Sequence, residues 1–285
     1  MEFLRLVEWI RPNTHPPEGE KMAIISTQKR HFSSGIEFAN FVESGYADSK
    51  FGRSYGREIV AGIASMRNGY NDQNTEVERQ IRTFENEVQQ DSPVWETNVY
   101  GQLANVPAFL AGVPDSMWNR TTEIVDRTPI RIWVGVTSSG AISERDLEKR
   151  GACIGAFASA MVKIRPVIIS PYVVLGLRLS DRTGNRIGAI ASWDLQTSPF
   201  ELGSIMASLA CPKVTRSAGI SACEILEPRC DGGWHPDYAD EALMRAHLGA
   251  RPNDVYLASI HLHDALLADP TAWLKKTLAK YRDEE

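Results

Sequence analysis

Long apolar runs are missing from this sequence of 285 residues. No stretch reaches the roughly 18 consecutive apolar residues that a membrane-spanning helix requires, so we expect no membrane partner. The N-terminus also lacks a charged head followed by an apolar core, because Glu2, Arg5 and Glu8 interrupt its apolar residues. We therefore predict no secretory signal peptide.

The motifs of several common enzyme classes are absent as well. The sequence contains no Walker A loop, no GxGxxG fingerprint, no HExxH zinc motif and no GxSxG nucleophile elbow. These absences weaken the nucleotide-binding, dinucleotide-binding, metalloprotease and hydrolase interpretations, although an enzyme with an unfamiliar site is not excluded. We leave enzymatic activity open and favour a protein that is not an enzyme.

Excess positive charge and paired cysteines are lacking too. The formal net charge of −5 at pH 7 creates no global field that attracts nucleic acid or anionic lipid, although such a sum leaves a local basic patch open. No two of the four cysteines lie two to four residues apart, which is the spacing that zinc modules favour. Without a secretion signal, we expect reduced thiols, and we interpret Cys223, Cys230 and His235 as buried thiols beside a loop histidine.

The residues that are present divide the chain into three parts. Residues 1–32 are rich in Pro, Thr and charge, which predicts a loosely ordered arm. Residues 33–128 predict a helical region. Its helices begin at Ser34, with Glu37 as a capping-box partner, at about Tyr55 and at Thr75. Residues 94–117 predict a short strand, a turn and a helical turn, all partly buried.

From residue 129 to 285, apolar β-rich runs alternate with amphipathic helices. The predicted strands are 130–136, 166–174, a hairpin of 177–180 with 186–193, 220–226 and 255–262. The predicted helices are 143–164, 198–210, 237–248 and one that begins at the Asp269-Pro270 cap. This alternation predicts an α/β fold, a mostly parallel open sheet covered by helices in a Rossmann-like arrangement.

Two stretches resemble an uncharacterised family of proteins from double-stranded DNA bacteriophages. They are residues 101–118, GQLANVPAFLAGVPDSMW, and residues 143–159, SERDLEKRGACIGAFAS. In that family a Val-Pro-x-aromatic-Leu-x-Gly-x-Pro-x-x-Met box precedes a strand, and an Arg-Gly-Ala box lies early in a long helix. The resemblance covers about residues 33–195. It implies a phage origin, in the cytoplasm of the infected cell or associated with the virion, and no established activity.

The same region is more distantly similar to a von Willebrand factor A-type domain. Such domains hold Mg²⁺ with an Asp-x-Ser-x-Ser loop after their first strand. Here Val136 stands at the position of the aspartate and Gly140 at that of the last serine. A hard cation prefers carboxylate oxygen, so the resemblance implies a degenerate metal site. We predict no cofactor and leave Mg²⁺ open.

Candidate ligand-binding residues follow the predicted strands. They are Thr137, Ser138, Ser139, Asp194, His263 and Asp264. The first three form a loop where open α/β sheets bind ligands, although a serine-rich turn is the commoner explanation. If the strands are parallel, Asp194 and Asp264 converge on the same rim; otherwise each caps a helix or loop. His261 shares a strand face with His263, which leaves a two-histidine metal face open.

Three functions remain open. The first is a phage-encoded interaction, assembly or accessory protein that is not an enzyme and binds a protein partner or itself. The second is a metal-dependent enzyme with a rim site of Ser138, Asp194, His263 and Asp264. The third is a nucleic-acid-binding accessory protein whose basic face comprises Lys29, Arg30, Arg53, Arg57 and Arg67. Arg150 is either solvent-facing or part of a buried ion pair.

Overall fold

A computed structural model describes residues 24–70, 79, 82, 95–99, 103–120, 129–138, 141–162, 165–176, 186–198, 201–230, 241–260 and 264–282. The strands in these ranges are β1 (Ile24–Phe32), β2 (Trp95–Asn98), β3 (Leu103–Ala104), β4 (Met117–Arg120), β5 (Ile130–Gly135), β6 (Val167–Gly176), β7 (Arg186–Trp193) and β8 (Val255–Leu257).

The α-helices in the same ranges are α1 (Gly35–Gly45), α2 (Lys50–Asn68), α3 (Val106–Leu110), α4 (Glu144–Val162), α5 (Leu202–Leu209), α6 (Gly219–Leu226), α7 (Glu241–Leu248), α8 (Ala265–Ala268) and α9 (Pro270–Arg282). A 3₁₀ turn covers Tyr46–Asp48, and a π-helix covers Lys213–Ala218. None of the helices in the described ranges is both long and apolar enough to cross a membrane.

Within the described residues, five strands form the main sheet in the order β1-β7-β6-β5-β8. Three of the pairs, β1 with β7, β6 with β5 and β5 with β8, are parallel. The hairpin partners β6 and β7 are antiparallel. The predicted runs 130–136 and 255–262 therefore lie side by side, which confirms the α/β fold with a mostly parallel sheet. Beyond β8, a single bridge joins Ser138 to Ile260.

The two faces of the main sheet are covered differently. The densely covered face, against α1, α2, α4, α5, α6 and α9, carries Phe32, Ile132, Val134, Ile169, Val173, Leu175, Ala191 and Trp193. The opposite face carries a smaller cluster with α7, formed by Trp133, Tyr172, Val174, Ile190 and Met244. Because side chains alternate along a strand, the even-numbered residues of β6 and β7 point to this second face.

The start of α1 follows the predicted capping pattern with one shift. Ser34 accepts a hydrogen bond from the Glu37 N–H at 3.1 Å, but the Glu37 carboxylate accepts from the N–H and hydroxyl of Ser33, both at 2.8 Å. The helix then packs on the sheet by stacking Phe38 on Trp193, with ring centroids 4.0 Å apart. The core therefore joins residues on both sides of residue 129.

Residues 24–32, predicted as part of a loose arm, form strand β1 instead. This strand pairs in parallel with β7, from Ile24 opposite Arg186 to Phe32 opposite Trp193. The prediction was wrong because β1 is an edge strand in the described sheet, and its middle residues 28–31 are exposed. Polar, charged residues on an edge strand limit edge-to-edge aggregation, and they also hide the apolar pattern of a strand.

Residues 220–226, predicted as a strand, belong to helix α6, so that prediction was wrong. The β-branched residues Ile220 and Ile225 suggested a strand, but Val214, Ala218 and Ala222 recur every four residues and are buried. This spacing places them on one helical face. The small residues allow close approach: a Cβ atom on Gly219 would lie 2.6 Å from a methyl carbon of Val173 on β6.

The described part of residues 94–117, a segment predicted to be partly buried, is largely exposed. Strands β2, β4 and β3 form a separate small sheet, in that order, and α3 connects β3 to β4. On α3, Phe109 is 69% exposed and Leu110 is 79% exposed. Most of the helix predicted from Thr75 lies outside the described residues, as do residues 177–180.

The four cysteines, Cys153, Cys211, Cys223 and Cys230, are all free and buried. Burial raises the pKa of the Cys153 thiol to about 12, and burial also raises the pKa of Cys223. Because the thiolate is the reactive form, these side chains are chemically inert and serve as core residues. His235 lies outside the described residues.

Two glycines of helix α4 permit a matched stability test. A Cβ atom on Gly151 would lie 2.6 Å from Ala210 Cβ, whereas one on Gly155 would meet nothing within 4 Å. We expect Gly151→Ala to destabilise the protein by about 1–3 kcal/mol through overpacking. Gly155→Ala should be neutral or stabilise by up to about 1 kcal/mol, because Ala favours helix over Gly. Urea denaturation measures both, and equal effects would contradict this account.

Candidate functional site

Thr137 and Ser138 follow β5, and their hydroxyl groups are used inside the protein. Thr137 Oγ1 accepts a hydrogen bond from the Val174 N–H at 3.1 Å, and Ser138 Oγ accepts one from Arg216 Nε at 3.1 Å. Arg216 is a permanent cation on the π-helix, and it would repel a metal ion at Ser138. Ser139 lies outside the described residues.

Asp264 lies at the same end of the sheet, where it caps helix α8. Its Oδ1 atom accepts from the Leu266 N–H at 3.0 Å, so the helix-cap alternative is confirmed for this residue. Its Oδ2 atom lies 3.7 Å from Nε of Arg150, whose side chain is only 3% exposed. The ion-pair alternative for Arg150 is therefore confirmed. His263 and His261 lie outside the described residues.

Arg150 also connects the carboxyl ends of two neighbouring strands. It donates one hydrogen bond to the Gly135 carbonyl on β5 at 3.0 Å and one to the Ala258 carbonyl beyond β8 at 2.6 Å. A buried guanidinium is stable only when such partners compensate its lost hydration. Arginine side chains therefore occupy the end of the sheet where a ligand site was predicted.

Asp194 does not join that rim, which corrects the predicted convergence. Because β7 is antiparallel to β6, its carboxyl end lies beside Ser170, whereas Thr137 lies beside Val174. Four residues of strand separate these two positions, about 13 Å at roughly 3.3 Å per residue. Metal ligands lie within about 2.6 Å of the ion, so Asp194 and Ser138 cannot share one.

At the opposite end of the sheet, Asp194 is the centre of a polar cluster. His31 Nε2 lies 3.3 Å from Asp194 Oδ2, and His31 Nδ1 shares a 3.0 Å hydrogen bond with Ser192 Oγ. Ser170 Oγ donates to Asp194 Oδ1 at 2.6 Å. Arg131 Nη1 donates to both Ser170 and Asp194. The carboxylate is thus held by three side chains.

The cluster changes the acidity of Asp194. Burial raises the pKa of its carboxyl group, but hydrogen bonds from His31 and Ser170 and the charge of Arg131 outweigh that effect. The pKa of Asp194 therefore lies below its usual value, because the partners stabilise the charged form. At neutral pH the group is a carboxylate that balances Arg131.

Strand alternation explains why these side chains meet. Ser192 and Asp194 are two residues apart along β7, and His31 lies opposite Ser192 in the register of β1. Arg131 occupies the corresponding face of β5, where its guanidinium lies 5.0 Å from the Trp133 ring. All of them project from the face that α7 covers. The signal in the sequence was Arg131 itself, a charged residue within an apolar β-run.

Ser192, His31 and Asp194 match a serine hydrolase triad in composition but not in arrangement. The Asp194 N–H donates to the Phe32 carbonyl at 3.1 Å, and Ser192 lies in the middle of the sheet between His31 and Tyr172. An oxyanion hole requires donors directed at the reacting oxygen, whereas strand N–H groups are directed at neighbouring strands. The described residues therefore provide no oxyanion hole beside Ser192, and the cluster positions the His31 imidazole.

Beside the cluster lies a cavity of about 480 Å³ between β1, β5, β7 and α7. We call it the basic pocket; it is lined by Lys29, Arg30, His31, Arg131, Trp133, Ile190, Ser192, His247, Leu248 and Gly249. Among the described residues, its lining contains no carboxylate. Lys29 Nζ donates to the His247 carbonyl at 3.0 Å, and burial together with the Lys29 charge lowers the pKa of His247.

The basic residues considered for nucleic acid do not form one uncompensated face. Arg67 pairs with Glu43 at 2.5 Å, which offsets its charge. The Arg30 guanidinium lies 4.6 Å from the Phe41 ring, on the opposite side of β1 from Lys29. Arg53 donates to the Asp48 carbonyl at 3.3 Å. This arrangement lends the nucleic-acid alternative no specific support.

No group of three or more His, Cys, Asp or Glu side chains that could hold a metal ion occurs in the part of the chain that the structure describes. The rim predicted for a metal-dependent enzyme is also divided, as the position of Asp194 shows. The expectation of no cofactor stays a prediction.

Comparison with known proteins identifies a family. The family model described as "Domain of unknown function (DUF7192)" matches residues 17–265. The chain belongs to this family. No curated protein and no solved structure matches the sequence. The matched range contains both the polar cluster around Asp194 and the basic pocket, so these are features of the DUF7192 domain in this chain.

The Asp194 cluster predicts a specific acid sensitivity. Because its folded pKa is lowered, Asp194 contributes stability above its unfolded pKa of about 3.9, and this is lost as pH falls through the folded pKa. Asp194→Asn should cost about 2 kcal/mol at neutral pH by leaving Arg131 without its carboxylate. Urea denaturation at successive pH values should show the difference from the wild type shrinking below about pH 4.

The matched control is Asp115→Asn, at an exposed position of the described chain. This change should alter stability by less than about 0.5 kcal/mol at every pH. A difference between Asp194→Asn and the wild type that stayed constant down to low pH would show that the carboxylate charge is not what stabilises the cluster.

Proposed function

We propose that this protein is a bacteriophage-encoded interaction protein that acts by binding a partner protein and not by catalysis. The observation that carries the proposal is the exposed apolar surface on and beside helix α3. Its members are Val99, Val106, Phe109, Leu110 and Val113, which are 45% to 79% exposed. Exposed apolar side chains that adjoin one another are typical of interaction sites; we call these five residues the apolar knob.

The sequence around helix α3 carries little charge. Between residues 103 and 120 only Asp115 and Arg120 are charged. A partner therefore gains little from charge pairing and most from burial of apolar surface. At about 25 cal/mol per Å² of apolar surface buried, large side chains such as Phe109 and Leu110 supply most of that gain.

Local hydrogen bonds fix the conformation of the apolar knob in the absence of a partner. Asn105 caps α3 by accepting from the Ala108 N–H at 3.3 Å. The Val113 N–H donates to the Ala108 carbonyl at 3.0 Å. Gly112 adopts a φ of 72°, a left-handed conformation that glycine accepts without strain. A preformed contact loses little conformational entropy on binding, which favours this turn as a recognition element.

The occupant that fits the knob is a groove on a different protein. The knob is a convex five-residue helix with flanking residues, so its complement is concave and apolar. The basic pocket of this chain has Lys29, Arg131 and two histidines in its lining, so it is a poor complement in a second copy of the chain. Binding of a second copy of the chain is therefore the alternative that the crosslinking test below distinguishes from binding of a different protein.

The phage assignment rests on the same residues. Phe109 and Leu110 belong to the Val-Pro-x-aromatic-Leu box that resembles the bacteriophage family. Apolar residues that only stabilised the chain's own core would be buried, whereas Phe109 and Leu110 are exposed. An interaction role explains this exposure. We place the protein in the cytoplasm of an infected cell or on the virion, as an assembly or accessory factor.

A photo-crosslinking experiment tests this proposal. Benzoylphenylalanine replaces Phe109 in the full chain during phage infection, and in a matched control it replaces Ile36, which is 56% exposed on α1. We expect one discrete heterologous adduct at position 109 and none at position 36. The crosslinked protein is identified by mass spectrometry, purified, and titrated with the unmodified chain.

The decisive measurement is the affinity of that purified partner for two variants. Leu110→Asp should weaken binding at least tenfold, since central apolar contacts typically contribute about 2 kcal/mol or more. Ile36→Asp should leave the affinity unchanged. An adduct made of two copies of the chain, the absence of an adduct, or equal affinities of the two variants would each contradict the proposal.

A further inference from the structure

The basic pocket has a charge opposite to that of the whole chain. The sequence carries a formal net charge of −5, yet among the described residues Lys29, Arg131 and two histidines line the pocket and no carboxylate does. The neighbouring carboxylate of Asp194 is already shared by His31, Ser170 and Arg131. The pocket is therefore an electropositive recess in an acidic protein, and such recesses concentrate anions.

The hydrogen-bond capacity of the cations is not exhausted by the protein. The contacts of the Arg131 side chain to Ser170 and Asp194 use Nη1, and a guanidinium has five N–H donors. The contact of Lys29 to His247 uses one of three ammonium protons. An anion in the pocket could accept from both residues without breaking an existing contact.

The histidine on α7 lies in the same environment. The pKa of His247 is lowered by burial and by the nearby Lys29 charge, because a positive surrounding opposes protonation. His247 Nε2 is also buried without a hydrogen-bond partner in the described structure. The wall formed by α7 thus remains neutral and polar, while the cations lie on the strands.

We propose that the basic pocket binds a phosphorylated small molecule. The donors come from different strands, Lys29 from β1 and Arg131 from β5, and both line the pocket. A tetrahedral phosphate accepts from several directions at once, whereas a planar carboxylate suits a single bidentate arginine. The volume of about 480 Å³ is within the usual range for small-molecule sites. It leaves room beside Ile190 and Leu248 for a carbon skeleton such as a pentose.

Calorimetric titration of the full chain tests the proposal with defined probes. The probes are inorganic phosphate, ribose phosphate, ribose and acetate, each at low ionic strength because salt screens such contacts. We expect the two phosphate compounds to bind and ribose and acetate not to bind. Ribose phosphate should bind more tightly than inorganic phosphate if the apolar wall contributes.

Two lysine variants separate the site from general charge effects. Lys29→Gln should weaken binding of both phosphate compounds by about tenfold or more, as expected for a lost charged hydrogen bond. Lys276→Gln, at an exposed position on α9, should leave the affinity unchanged. Lys29→Arg should restore most of the affinity because it keeps the cation.

Three results would overturn the proposal. The first is that neither phosphate compound saturates the protein at concentrations above about 1 mM. The second is that Lys29→Gln and Lys276→Gln bind the phosphate compounds with equal affinity. The third is that acetate binds as tightly as phosphate. Lys29 is exposed, so its substitution should leave the unfolding free energy within about 0.5 kcal/mol of the wild type. If Lys29→Gln lowers the unfolding free energy by more than this, its loss of binding is attributed to unfolding. Arg131→Lys is then the second variant whose phosphate affinity is measured.

Discussion

One reversal of strand direction organises the chemistry of this protein. In a sheet whose other pairs are parallel, β7 runs antiparallel to β6. The reversal carries Asp194 to the amino ends of β5 and β6, where Arg131 and Ser170 neutralise its carboxylate. The parallel partner β1 then adds His31 and Lys29 on the same face. A parallel β7 would have placed Asp194 beside Thr137, and the polar cluster would not exist.

At the carboxyl ends of β5 and β8, where open sheets usually bind ligands, this fold places its own arginine side chains. Arg150 joins the ends of β5 and β8 from within the core, and Arg216 engages Ser138. The protein's own cations thus occupy that rim, as structural groups whose hydrogen bonds are made inside the chain. The cations with spare donors, Lys29 and Arg131, lie at the other end. The structural arginines of this rim are therefore separated along the strands from the cations of the proposed anion site.

Sequence reasoning succeeded where the information is local and failed where it depends on neighbours. The caps at Ser34 and Asp269 were predictable because a cap needs only its own turn, and the buried strand 130–136 was predictable from composition. Strand β1 was missed because an exposed edge lacks an apolar pattern. Helix α6 was misread because Ile220 and Ile225 favour strands, while packing against the sheet decided otherwise. The Asp194 cluster depends on strand direction, which no short segment specifies.

The buried cysteines have a practical consequence for spectroscopy. All four thiols lie inside the core, out of contact with maleimides and other labelling reagents in the folded state. A cysteine introduced on the surface, for example in place of Leu110, would then be the one thiol that reacts quickly. A fluorophore or spin label could be attached there without first replacing any native cysteine, and its signal would report directly on the environment of that position.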